Sequence, residues 1–65
     1  MEKLRFVKRH EVEAITGLKR SSIYAKMAAG SFPKAVKLGE RSVAWIESEV
    51  QSWLHERISA SRKEV

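Results

Sequence analysis

Gly17–Pro33 reads GLKRSSIYAKMAAGSFP. This stretch decides the fold. It is one short helix between two glycine stops, with Lys19, Arg20, Ser21 and Ser22 at its front end. The first turn of a helix carries about half a positive charge, so Asp or Glu would suit a purely structural helix there. Cations at that end make sense when an anion from another molecule sits against them. Ile23 and Met27 lie one turn apart and face inward. Gly30 suits a left-handed C-terminal stop. Phe32 precedes Pro33, which favours extended backbone after the helix.

Working outward, residues 8–16 read as an earlier helix with Val12 and Ile15 on one face and Gly17 as its stop. It has no evident N-cap residue. Leu18 is the apolar residue of the turn and is expected to plug into the core. Two helices joined by a tight turn through Gly17 and Leu18 define a helix-turn-helix. Downstream, Val36 and Leu38 alternate around Lys37, and Val43 and Trp45 alternate around Ala44. With the turn GERS at Gly39–Ser42 between them, they predict a hairpin with one apolar face. A lone hairpin is marginal in water, so this one must pack on the helices. LRFV at Leu4–Val7 is a candidate short strand.

A third helix is predicted over Glu47–Ala60, with Ile46, Val50, Trp53, Leu54, Arg57 and Ile58 in a stripe. Glu47 and Glu49 stand in its first turn, where the helix dipole favours them. The stripe is assigned to the domain's own core, leaving only polar residues outside and making this helix unsuited to a tight dimer. Trp45, Trp53 and Phe32 are read as core. The fold class is therefore mainly α with a small β-hairpin, a winged helix-turn-helix in one domain over residues 1–65, with about residues 59–65 frayed.

The chain has 65 residues and no cysteine. So small a domain encloses no large pocket, and a secreted domain of this size usually carries disulfides; a reducing cytoplasm is expected. No apolar run approaches the roughly 18 residues of a membrane span, and Met1–His10 has no apolar core of a signal peptide. Neither a membrane nor a small-molecule substrate is expected as partner.

Net charge is +5, unevenly placed. Met1–Arg41 holds ten Lys/Arg and four Glu, whereas Ser42–Val65 holds three and four. Such asymmetry points to a polyanion-binding face. Enzymatic chemistry is not expected: His10 and His55 are isolated and read as surface residues. Gly17, Gly30 and Gly39 form no phosphate loop. No metal site and no cofactor are anticipated.

In a helix-turn-helix the second helix enters the major groove with its N-terminal residues first. Double-stranded DNA would supply the missing anions. Arg20 can pair with guanine, Lys19, Ser21 and Ser22 with bases or phosphates, and Lys26 with backbone further along. Ser21 reads equally well as a helix cap. Tyr24 is ambiguous: a ring near Phe32 with its hydroxyl toward a phosphate is one reading of it. Lys34, Lys37 and Arg41 make the hairpin a basic wing able to follow the backbone.

Val12, TGL at Thr16–Leu18, SSIY at Ser21–Tyr24, GSFP at Gly30–Pro33, VKLG at Val36–Gly39, Ala44-Trp45 and SEVQSWL at Ser48–Leu54 together resemble the AlpA family of phage and prophage regulatory proteins. The likeness runs in order along almost the whole chain. It implies a winged helix-turn-helix related to MerR-like domains and excisionases. It further implies regulation at an integrated element, through transcription of an integrase gene, through excision as a recombination directionality factor, or both. DNA, an integrase and further copies of the chain are the implied partners, in the nucleoid-associated bacterial cytoplasm. Where such patterns commonly place Ser before the basic position, this chain has Lys19, which weakens the case for a side-chain cap and bears on base preference. A second class is a protein-interaction module inhibiting a host regulator, using Trp53 and the last helix instead of the basic face.

Overall fold

The computed structural model describes residues 4–63. Strand β1 is Phe6–Val7, helix α1 Arg9–Thr16, helix α2 Arg20–Ala28, strand β2 Val36–Lys37, strand β3 Val43–Ile46 and helix α3 Glu47–Arg62. Helices dominate, and the three short strands form one antiparallel sheet.

The two glycines flanking α2 do what their sequence positions demand. Gly17 has φ 75° and Gly30 φ 78°, a left-handed backbone that disfavours any residue with a Cβ. At the end of α2 the Gly30 N–H donates to the Met27 carbonyl (3.1 Å) and the Ser31 N–H to the Lys26 carbonyl (2.8 Å). These two bonds form a Schellman stop. The turn between α1 and α2 has a staple of its own. The Thr16 hydroxyl donates to the Val12 carbonyl (2.7 Å) and accepts from the Leu18 N–H (3.2 Å). Leu18 is thereby turned onto the core, where it packs half-buried.

The hairpin is less isolated than its sequence indicates. β3 is the central strand, flanked by β2 on one edge and β1 on the other. Val36 faces Ala44 and Lys37 faces Val43; on the far side Phe6 faces Ile46 and Val7 faces Trp45. The expected single apolar face is therefore corrected for β3. Ala44 and Trp45 point to opposite sides and both are 0% exposed, because a central strand is covered on both faces. Leu38, expected on the apolar face, is instead 47% exposed at the base of the loop. Its N–H extends the ladder to the Ser42 carbonyl (2.7 Å).

Among the described residues Val7, Val12, Ile23, Phe32, Ala44, Trp45 and Val50 are buried, and the second half of α3 contributes none of them. Trp45 also donates its indole N–H to the Pro33 carbonyl (3.1 Å), fixing the connection between α2 and β2. Trp53 is only half-buried. It caps Phe32 edge to face, with ring centroids 4.8 Å apart, and donates to the Ser31 carbonyl (2.6 Å). The stripe of α3 is core only in its first half. Val50 is buried, Leu54 is half-buried, and Ile58 is 46% exposed. At 1.5 Å per residue the 16-residue α3 is about 24 Å long and outruns the small core. The expectation that only polar residues lie outside α3 thus fails at Ile58. Of the tail expected to fray from about residue 59, the described part is helical through Arg62, and residues 64 and 65 lie outside the described residues.

Candidate nucleic-acid interface

Helix α2 begins without any side-chain cap. Lys19 occupies the N-cap position in extended backbone (φ −86°, ψ 162°), and no acidic residue stands in the first turn. The Ile23 N–H is the first to reach a helix carbonyl, that of Lys19 (3.0 Å). The N–H groups of Arg20, Ser21 and Ser22 precede the helical ladder and lack a carbonyl within it. Ser21 and Ser22 are the second and third helical residues, inside the helix, so the reading of Ser21 as its cap is corrected. Lys19, Arg20 and Ser21 are exposed, and Ser22 is half-buried beside Ile23.

Tyr24 follows Arg20 by one turn, and the Arg20 guanidinium carbon stands 5.8 Å from the centre of its ring. The Tyr24 ring also packs edge to face with Trp45, at 6.4 Å and 67°. The expected neighbour, Phe32, is corrected: it is turned to Trp53 instead. Trp45 thus links the exposed front of α2 to the central strand of the hairpin sheet.

The structure joins some of the predicted residues and separates others. Tyr24 and Arg41 line one shallow depression together with Lys8, Arg9, His10 and Ser42. Arg41 stands exposed at the hairpin tip, and Lys37 is exposed on β2. Lys26, in the last turn of α2, lies about 120° around the helix from Arg20 and on the side of Ser22. Lys34 belongs to a different place. It lines a groove of about 780 Å³ between the α2–β2 connection and α3, with Phe32, Trp53, Glu49 and Glu56.

Sequence alone does not single out Lys8 and Arg9, and it marks His10 only as an isolated surface residue. Their signal was present as a repeat: KRHEV at Lys8–Val12 and KRSSI at Lys19–Ile23. In both, Lys is an uncapped N-cap, Arg opens the helix, and the fifth residue is fully buried. Among the described residues no group of three or more His, Cys, Asp or Glu side chains could hold a metal ion. No described helix is long and apolar enough to cross a membrane.

Three helices on a small antiparallel sheet define a small, mainly helical protein. The family described as Prophage CP4-57 regulatory protein (AlpA) matches residues 5–58, and the chain belongs to that family. It is 42% identical over 59 residues to a protein of Enterobacteria phage P4 named ORF88, covering 91% of this chain and 67% of that one. It is also 42% identical over 48 residues to the DNA-binding transcriptional activator AlpA of Escherichia coli (strain K12), covering 65% of this chain and 69% of the relative.

Proposed function

We propose that this chain is a single-domain winged helix-turn-helix regulator that binds duplex DNA at a prophage or related integrated element. In this reading α1, the Thr16-stapled turn and α2 are the helix-turn-helix, and the β2–β3 hairpin is the wing. The observation that carries it is the start of α2: Lys19 and Arg20 on an uncapped helix end with no acid in its first turn. A major-groove helix presents that end to the bases. Arg20 is assigned to a base edge, Lys19, Ser21 and Ser22 to bases or phosphates, and Lys26, Lys37 and Arg41 to backbone, while Lys34, in the groove beside α3, is left out of this face. Tyr24 supports Arg20 from below and offers its hydroxyl to a phosphate. The family membership and the relative named as a DNA-binding transcriptional activator support the same reading. The output is transcription of an integrase gene, excision, or both, in the nucleoid-associated cytoplasm.

One module of this kind buries only about 600–1,000 Å² on DNA. Several copies on adjacent sites would supply the missing affinity, with an integrase as the further partner. The test is footprinting on the DNA flanking the chain's own gene and the neighbouring integrase gene, combined with a salt titration. With about five phosphates neutralised, log K should fall with log salt at a slope of about −4 to −5. Protection of discrete sites that grows with added protein supports the proposal. Salt-independent behaviour with no protected site overturns it and favours a protein-interaction module, for which the groove at Trp53 is the available surface.

A further inference from the structure

The depression between the start of α1, Tyr24 and the hairpin tip belongs to none of the assignments above except through Tyr24 and Arg41. Its polar rim is Lys8, Arg9, His10 and Arg41, with the Tyr24 and Ser42 hydroxyls between them, and no carboxylate lines it. Three permanent cations and one histidine from two distant parts of the chain thus converge on about 390 Å³ of open space.

We infer that this depression is a second seat for the sugar-phosphate backbone of duplex DNA, built by Lys8, Arg9 and His10 of α1 with Arg41 of the hairpin. The inference rests on the DNA-binding reading and extends it to residues outside α2 and the wing. The chemistry fits a phosphodiester. Guanidinium and ammonium groups make their strongest hydrogen bonds to anionic oxygens, and a shallow open site suits a continuous strand. The placement fits as well. Tyr24 is shared between the depression and the front of α2, where Arg20 stands 5.8 Å from its ring, so one duplex can meet both.

The cations are also held in position. The Lys8 ammonium donates to the Ser42 hydroxyl (2.6 Å), tying the start of α1 to the base of the hairpin loop. That bond uses one of three ammonium donors and leaves two. Arg9 gives one nitrogen to Glu13 (3.0 Å) and keeps its remaining donors. Backbone contacts carry no base information but fix register. A grip here would set how far the front of α2 slides along the groove.

The experiment uses the full chain, its footprinted site and a scrambled duplex of equal length. In K8Q/R9Q, affinity should fall by the same factor on both duplexes, leaving their ratio unchanged. The slope of log K against log salt should become shallower by about 1.8, two phosphates at roughly 0.9 each. R20A, measured alongside, should change the ratio. If R20A loses discrimination while K8Q/R9Q keeps the wild-type slope, the second seat is overturned and the DNA-binding reading stands. If the wild type binds neither duplex, both fall. Because K8Q/R9Q alters a helix start, a second variant leaves those cations in place. E13Q releases Arg9 from its partner and should tighten binding to both duplexes more than E56Q, which removes the same charge from α3. Equal effects of E13Q and E56Q overturn the inference.

Discussion

Helices α2 and α3 begin alike in geometry and oppositely in charge. Each has an N-cap residue in extended backbone with no side-chain cap. The start of α3 is answered from inside the molecule. Glu47 and Glu49 stand in the first turn, the Glu47 N–H donates to the Arg5 carbonyl (2.8 Å), and the Glu47 carboxylate lies 3.8 Å from the Arg5 guanidinium. The start of α2 has Lys19 and Arg20 instead, with no acid in its first turn. One end is arranged for the stability of the chain. The other is costly to the chain alone and is explained by a partner that brings negative charge.

The strongest way to break this contrast is to remove the frame on which both starts are mounted. Trp45 is fully buried in the central strand. Trp45→Ala should abolish the cooperative melt seen by far-ultraviolet circular dichroism. Truncating a buried aromatic costs about 3–5 kcal/mol, against about 3–10 kcal/mol available to a chain of this size. Trp53→Ala should keep a cooperative transition at lower temperature, since Trp53 is only half-buried. An equal loss from both would show that the groove beside α3 is as much core as the sheet is.

The sharpest test converts one start into the other. K19E/R20E gives α2 the charge pattern of α3. It should raise the melting temperature, because an anion in the first turn contributes about 0.3–1 kcal/mol. Duplex binding should drop by more than about 100-fold, as base and backbone contacts together are lost. A variant that is stabler and still binds would dissolve the contrast. Arg20→Ala should weaken the natural site by about 1–3 kcal/mol, read in a competition titration, with the melt unchanged. Smallest is Arg41→Ala: binding to every sequence should weaken alike, with a salt slope shallower by about 0.9. A change in sequence preference would move Arg41 from backbone to base.

Helix ends and the polarity of the chain were legible in the sequence because single residues dictate them. Gly17 and Gly30 announce left-handed stops, and the basic excess of Lys19–Arg41 is plain in the sequence, although Lys34 is folded away from the front of α2 into the groove beside α3. Family membership was legible from ordered short motifs and is matched over residues 5–58. What escaped depends on contacts distant in the chain. Phe6–Val7 is too short to announce its pairing with Trp45 and Ile46. Ala44 looked like an outward residue because a hairpin pattern does not reveal a third strand. Tyr24 found Trp45, 21 residues away, and not Phe32, since the turn after Gly30 carries Phe32 toward α3. Ile58 continues the stripe of α3 in sequence, but the core ends before the helix does. The depression that Lys8, Arg9 and His10 share was not legible because the hairpin tip that completes it lies some 30 residues downstream.

The contact of Tyr24 with Trp45 also gives the protein an optical readout. Trp45 is sealed from solvent and touches Tyr24 at the front of α2, whereas Trp53 lies half-open in the groove beside α3. An aqueous quencher such as iodide should darken Trp53 and spare Trp45, dividing the emission between the two. A ligand held at α2 and the hairpin would alter the sealed component through the tyrosine, while a partner in the groove would shield the quenchable one. The unlabelled chain therefore carries two fluorescent addresses, one for each of its candidate binding sides.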